Sequence, residues 1–186
     1  MANAITFARI GLVLPFIWFF LINAAWGVKA AFVVFALAAA TDFIDGRVAR
    51  ARGETSTLGA ALDPLADKLL IAAALILLLR NGVVYGAGVI AVLIIVLREL
   101  LITGLREALA KAGQDLPVTG LAKYKTASQV VAAGLLLLAA PTGFIGEALR
   151  PLAIGVLWFA SALTLWTGVD YALKSVRILR TSPDGR

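Results

Sequence analysis

Long apolar runs alternate with short polar connections along the whole chain. Six runs stand out, at roughly 8–25, 28–45, 60–79, 83–105, 121–140 and 151–173, each close to the ~20 residues that cross a bilayer as a helix. The connections hold turn formers, as in "NAAWG" after the first run and "RNGVVYGAG" after the third. This pattern predicts an all-α integral membrane protein with six transmembrane helices. Ahead of the first run, "MANAITFARIGLVLP" is mildly amphipathic and carries Arg9. It is expected to form a short interfacial N-terminal segment before the chain turns inward. A cleaved signal peptide does not suit the first run, because no A-x-A-like site follows it and five more runs do. The spans leave no room for a separate soluble domain, so residues 1–186 read as one domain. The polar tail "RTSPDGR" is expected to fray.

Composition strengthens this reading. The chain is 61% hydrophobic and 15% charged, whereas soluble domains average about half apolar and a quarter charged. The net charge of +6 invites a nucleic-acid reading, but the cations are placed as topology signals. Arg47, Arg50 and Arg52 lie between runs two and three, Lys111, Lys123 and Lys125 around the fourth connection, and Lys174, Arg177, Arg180 and Arg186 after run six. The opposite connections carry only Lys29, Arg80 and Arg150. The positive-inside rule then puts both termini and the second connection in the cytoplasm, and no nucleic-acid partner is expected. Cysteine and histidine are absent, which excludes disulfides, Cys/His zinc sites and histidine acid–base chemistry. Any bound metal must be held by oxygen ligands.

Against this background, "TDFIDGRVARARGETSTLGAALDPLADKLL" at 41–70 is anomalous. Asp42 and Asp45 are three apart and Asp63 and Asp67 four apart, so each pair shares one helix face, a turn apart. An aspartate at the centre of a membrane helix costs about 2.5–3.5 kcal/mol, so four unpaired ones are untenable there. Three arrangements would compensate them. Arg47, Arg50 and Lys68 could form an ion-pair network; the cluster could be the ion path of a cation-coupled transporter; or two divalent cations could sit between the pairs. Two metals can clamp the attacking and leaving oxygens of a phosphoryl-type displacement. No internal repeat of the inverted transporter type is visible.

Written with its spacings, the stretch is Asp42-x2-Asp45-Gly46-x2-Ala49-Arg50-x8-Gly59-x3-Asp63-x3-Asp67. It resembles the signature of the CDP-alcohol phosphatidyltransferases at all of its fixed positions. The resemblance implies six transmembrane helices, a homodimer in the bacterial inner (cytoplasmic) membrane, and a two-metal site facing the cytoplasm. It implies Mg²⁺ or Mn²⁺ held by Asp42, Asp45, Asp63 and Asp67, with Asp67 also taking the proton of the attacking hydroxyl. Gly46, Ala49, Arg50 and Gly59 would shape the CDP-lipid pocket, with Arg50 on the diphosphate and Ser56 offering a hydroxyl to the nucleotide. Asn3 and Thr6 resemble the family's N-terminal Asn-x-x-Thr element. The implied reaction displaces CMP from CDP-diacylglycerol by an alcohol.

The acceptor is a separate question. Arg98 stands in an apolar run and Arg106 eight residues on, about 800° of helix and so within about 80° of the same face. With Lys123 and Lys125 they could line a cationic pocket for an acceptor that is itself a phosphate. The alternative is that Arg98 pairs with Glu99 or an aspartate while the lysines reach head groups, Lys125 being the closer to them. Arg98-Glu99, Arg106-Glu107 and Lys123-Tyr124-Lys125-Thr126 resemble the branch of the family whose acceptor is glycerol 3-phosphate. One departure is Ala122, where that branch commonly has Gly. Inositol phosphate, inositol, serine and phosphatidylglycerol are the other acceptors weighed.

Chelation should therefore abolish turnover, and Mg²⁺ or Mn²⁺ should restore it; full activity in thoroughly metal-free enzyme would refute a metal site. Asp67→Asn should lower turnover by at least about 10²-fold, the lower scale for losing a general base, while CDP-lipid binding is partly kept. Near-normal turnover in that variant would rule out Asp67 as the base.

Overall fold

A computed structural model describes the backbone of residues 2–22, 24–52, 57–111, 113–114 and 120–181, and the side chains of 10–22, 24–41, 68–111, 113–114, 121 and 123–178. Its helices are α1 (Ala2–Leu21), α2 (Gly27–Arg52), α3 (Thr57–Arg80), α4 (Gly88–Lys111), α5 (Gly120–Leu138) and α6 (Arg150–Thr181), with a 3₁₀ turn at Glu147–Leu149. No strand occurs among the described residues.

Two boundaries differ from the hydropathy pattern. The N-terminal segment expected to lie apart is continuous with α1, because nothing between Asn3 and Ile10 is a glycine or proline. The fourth run was expected from residue 83, but α4 begins at Gly88. Gly82 and Gly86 adopt φ of 66° and 57°, a left-handed conformation that side chains disfavour, and they turn the chain there. Val83 and Val84 between them are nonetheless buried, so an apolar connection reads like a span.

Helix packing follows from stripes of small and large apolar residues. On α2, Val28, Ala31, Phe35 and Ala38 are buried, a spacing of three and four that keeps one face inward. Phe35 meets Phe16 of α1 at a ring separation of 6.0 Å and lies over Gly134 of α5, where a Cβ would be 3.8 Å from the ring. Helix α1 packs on α2 and α3, and α6 packs on α4 and α5. The two halves join where α5 meets α2 and α3, and where α3 meets α4.

Around an apolar core, large apolar side chains also cover the outside of the bundle while several polar ones are buried. Leu97, Leu100 and Leu101 on α4 and Phe159, Leu165 and Trp166 on α6 are exposed, while Glu99, Lys125, Gln129 and Thr164 are buried. Among the described residues, Gly88–Lys111 and Glu147–Ile178 are long and apolar enough to cross a membrane. The 24 residues of α4 extend about 36 Å at 1.5 Å per residue, more than the ~30 Å hydrocarbon core.

One end of the bundle is clasped by Arg150. Its Nε donates to the Val83 carbonyl at 2.9 Å, its Nη1 donates to the Tyr85 hydroxyl at 2.6 Å, and its guanidinium lies 3.8 Å from the Tyr85 ring centroid. The clasp ties the α3–α4 connection to the start of α6. Arg150→Met keeps much of the stem but deletes these donors and should destabilise the fold by about 1–3 kcal/mol. Thermal unfolding in detergent measures this, and an unchanged midpoint would mean that the clasp contributes nothing.

Candidate active site

The aspartate motif lies on helices that the backbone describes and on side chains outside the described residues. Asp42, Asp45, Gly46, Ala49 and Arg50 belong to the last turns of α2, and Gly59, Asp63 and Asp67 to the first half of α3. Asn3 and Thr6 lie in the first two turns of α1. Ser56 is outside the described backbone. Helix is unbroken through each aspartate pair, so Asp42 with Asp45, and Asp63 with Asp67, each share a face one turn apart. As a donor set, four carboxylates are hard oxygen ligands of the kind Mg²⁺ and Mn²⁺ accept. Among the described residues no group of three or more acidic residues is placed to hold a metal ion.

Immediately after Asp67 comes Lys68, and from it a buried polar network runs through α4, α5 and α6. Its centre is Glu99. Oε1 of Glu99 accepts from Lys125 Nζ at 2.5 Å, from Arg98 Nη1 at 3.1 Å and from Gln129 Nε2 at 3.2 Å. Oε2 is 3.9 Å from Lys68 Nζ, which also donates to the Thr103 hydroxyl. Gln129 donates onward to Thr164 Oγ1 at 2.8 Å, and Arg98 Nη2 donates to Thr167 Oγ1 at 3.1 Å. Among the described side chains, three cations thus meet one carboxylate between helices.

The helix periodicities explain the convergence. On α4 the buried stripe is Ala91, Val92, Ile95, Glu99 and Ile102, so Glu99 occupies an apolar register. On α5, Lys125, Ser128, Gln129, Ala132 and Ala133 share the buried face. The buried stripe of α6 changes character along its length, from Ala153, Leu157 and Ala160 to Thr164, Thr167 and Ser175. The core is therefore apolar toward the Arg150 clasp and polar toward the aspartates.

Arg98 also needs a gap in α6. A Cβ on Gly168 would lie 2.8 Å from Arg98 Cγ and 2.9 Å from its Nε, closer than real Cβ contacts come. The missing side chain is what lets the guanidinium lie flat against α6. That seat leaves Arg98 Nε buried with no hydrogen-bond partner among the described residues, a cost of about 1–3 kcal/mol.

Of the four residues expected around an acceptor phosphate, the structure brings Arg98 and Lys125 together. Arg98 does pair with Glu99. Lys125 does not reach toward head groups: its side chain is 7% exposed and salt-bridged to Glu99, because its register on α5 faces inward while neighbouring Tyr124 faces out. Arg106 and Lys123 are exposed, with no carboxylate partner among the described residues. Arg106 stands seven residues beyond Glu99, within about 20° of its face. By sequence alone, Glu99 and Lys68 are only possible counter-charges. The available signal was the coincidence of Glu99 with the apolar register of its helix.

Residues 1–166 match the family described as CDP-alcohol phosphatidyltransferase. The chain is 39% identical over 174 residues to the CDP-diacylglycerol–glycerol-3-phosphate 3-phosphatidyltransferase of Rickettsia felis, covering 92% of each chain. It is 39% identical to the enzyme of that name from Pseudomonas fluorescens, over 99% of this chain and 93% of the relative. For the Bacillus subtilis enzyme of the same name the identity is 35%, with 98% of both chains covered. A family match over nearly the whole length, relatives aligned from end to end and the aspartate signature agree: the chain belongs to the CDP-alcohol phosphatidyltransferase family.

Proposed function

We propose that this enzyme transfers the phosphatidyl group of CDP-diacylglycerol to the 1-hydroxyl of sn-glycerol 3-phosphate, yielding phosphatidylglycerophosphate and CMP. The relatives named for that reaction support the activity. The observation that carries the acceptor assignment is the meeting of Arg98 and Lys125 at Glu99, between helices that pack beside the aspartate-bearing α3. Two cations against one carboxylate, counted over the described side chains of Arg98, Lys125 and Glu99, suit an acceptor bearing a phosphate and poorly suit serine or inositol. A cation-coupled transporter would have little use for them.

In this reading all six helices span the bacterial inner membrane as one domain, with both termini and the site at the cytoplasmic side, and two chains form a homodimer. Asp42, Asp45, Asp63 and Asp67 hold two divalent cations, Mg²⁺ or Mn²⁺. Bound there, such cations would offset the charge of the diphosphate and acidify a nearby hydroxyl. Asn3, Thr6, Gly46, Ala49, Ser56 and Gly59 shape the CDP-lipid pocket, where Arg50 offers a planar fork to phosphate oxygens.

Arg98 and Lys125 grip the acceptor phosphate from within, while Arg106 and Lys123 approach it from the exposed side. The acceptor hydroxyl is then directed toward Asp67, which takes its proton. The new bond forms between that oxygen and the phosphatidyl phosphorus, the bond from phosphorus to the CMP oxygen breaks, and CMP leaves. Holding the two substrates in one orientation supplies much of the rate gain.

CMP release from CDP-diacylglycerol, measured across a panel of acceptors, tests the assignment. Glycerol 3-phosphate should be preferred, and unphosphorylated glycerol should be poor. Arg98→Gln, Arg106→Gln and Lys123→Gln should raise the acceptor KM far more than the CDP-lipid KM. At a buried position the loss is about 2–5 kcal/mol, roughly 30- to several-thousand-fold, and it should be smaller at the two exposed positions. Gly168→Ala displaces Arg98 without deleting it and should move the acceptor KM in the same direction by less. If glycerol serves equally well, or all these variants keep the parent's acceptor KM, the phosphate pocket is wrong and another acceptor must be assigned.

A further inference from the structure

The transfer just described needs the aspartate helices and the acceptor pocket in one alignment, yet they belong to different parts of the bundle. The aspartates are on α2 and α3, whereas Arg98 and Lys125 reach Glu99 from α4 and α5. On α3, Ile71, Leu75 and Leu78 form a buried stripe at spacings of four and three. Lys68, three residues before Ile71, continues that stripe into the polar half of the bundle. Apolar burial is non-directional, so a helix resting on such a stripe can slide or roll until a directional contact stops it.

Lys68 makes such a contact. Its ammonium donates to the Thr103 hydroxyl of α4 and lies 3.9 Å from Glu99 Oε2. Thr103 is prepared to accept it. A hydroxyl has one hydrogen, and that of Thr103 goes to the Glu99 carbonyl of its own helix at 2.6 Å. What remains for α3 is a lone pair. The tip of Lys68 is thereby held against the one turn of α4 that carries Glu99, and Oε1 of the same glutamate holds Lys125 at 2.5 Å and Arg98 at 3.1 Å. Lys68 also follows Asp67 directly, on a helix unbroken from Thr57 to Arg80. Successive helical residues differ by a fixed rise of about 1.5 Å and a turn of about 100°, so seating Lys68 sets the backbone position of Asp67.

We propose that Thr103 is a positioning residue for the transfer. By accepting from Lys68 it fixes the register of α3 on α4, and with it the separation between the Asp67 turn and the acceptor pocket. It acts through Lys68 rather than on a substrate. This deepens the function proposed above and rests on that reading, in which Asp67 takes the proton of the acceptor hydroxyl.

The test is Thr103→Val, which keeps the branched shape and removes the accepting oxygen. kcat should fall by about 10- to 100-fold, the scale of misplacing reacting groups by about 1 Å, while both KM values stay near the parent's. Thr103→Ser returns the hydroxyl and should recover most of the loss. In Lys68→Met the contact is already gone, so adding Thr103→Val should lower kcat no further. An unchanged kcat, an acceptor KM raised at constant kcat, or losses that add in the double variant each overturn the inference.

The register can also be read without turnover. The chain has no cysteine, so Leu69→Cys on α3 and Leu100→Cys on α4, both exposed positions, take spin labels selectively. The distance distribution between the labels should shift or broaden in Thr103→Val and return to the parent's in Thr103→Ser; an unchanged distribution overturns the inference. Asp67→Asn and Arg98→Gln keep the two levels apart. If Asp67→Asn retains near-normal turnover, the proposed function loses its base and this inference falls with it. If both variants behave as stated above while Thr103→Val leaves kcat and the label distances unmoved, the proposed function stands and only the register role falls.

Discussion

A buried carboxylate that meets three cations from α3, α4 and α5 among the described side chains organises the second half of this protein. Glu99 draws Lys68 from α3, Arg98 from its own helix and Lys125 from α5 to one point, and Gln129 extends the contact to α6. Ion clusters at such depth recover their desolvation cost only if the remaining donors are satisfied. The hydroxyls of Thr103, Thr164 and Thr167 meet most of that demand and leave Arg98 Nε over, which explains why the inner stripe of α6 turns from alanine and leucine to threonine and serine. Helix register, side-chain identity and the gap at Gly168 all follow from seating these charges.

The network also orders the bundle along its axis. At one end the helices meet through aromatic and aliphatic contacts, such as Phe16 with Phe35, and the Arg150 clasp closes the connections. Toward the other end the packing becomes polar and approaches the aspartate-bearing turns of α2 and α3. Apolar packing is non-directional, whereas hydrogen-bonded packing fixes angles as well as distances. A reaction that must align two phosphate-bearing substrates benefits from having the directional half of the core beside it.

Much of the fold was legible in the sequence because length and hydropathy report helices directly. The apolar runs at 28–45 and 121–140 lie within or closely match α2 and α5. Boundaries were less legible where apolar residues serve outside helices, as Val83 and Val84 do between two positive-φ glycines. The aspartate motif was visible from spacing, and its pairs do fall within continuous helix. Periodicity gives the face of one helix but not what lies opposite it. That is why Arg98 was recognisable as significant while the inward turn of Lys125 was not. Glu99 was hidden by its neighbour, since a charged pair in sequence reads as two partners of each other. Only the assembled helices show that the glutamate accepts from Lys125 and Gln129 of α5 as well as from Arg98.

Leu97, Leu100 and Leu101 are exposed at the same level of α4 where Glu99 is buried and Arg98 half-buried. The chain thus leaves part of the insulation around its own ions to whatever surrounds it. A pair of unit charges 4 Å apart interacts by about 1 kcal/mol in water but about 4 kcal/mol at an effective dielectric constant of 20. Replacing acyl chains by a thin or water-permeable detergent shell would therefore weaken the cluster without touching a residue. The hydrophobic thickness of the medium becomes a variable of the site, to be held constant when preparations of the enzyme are compared.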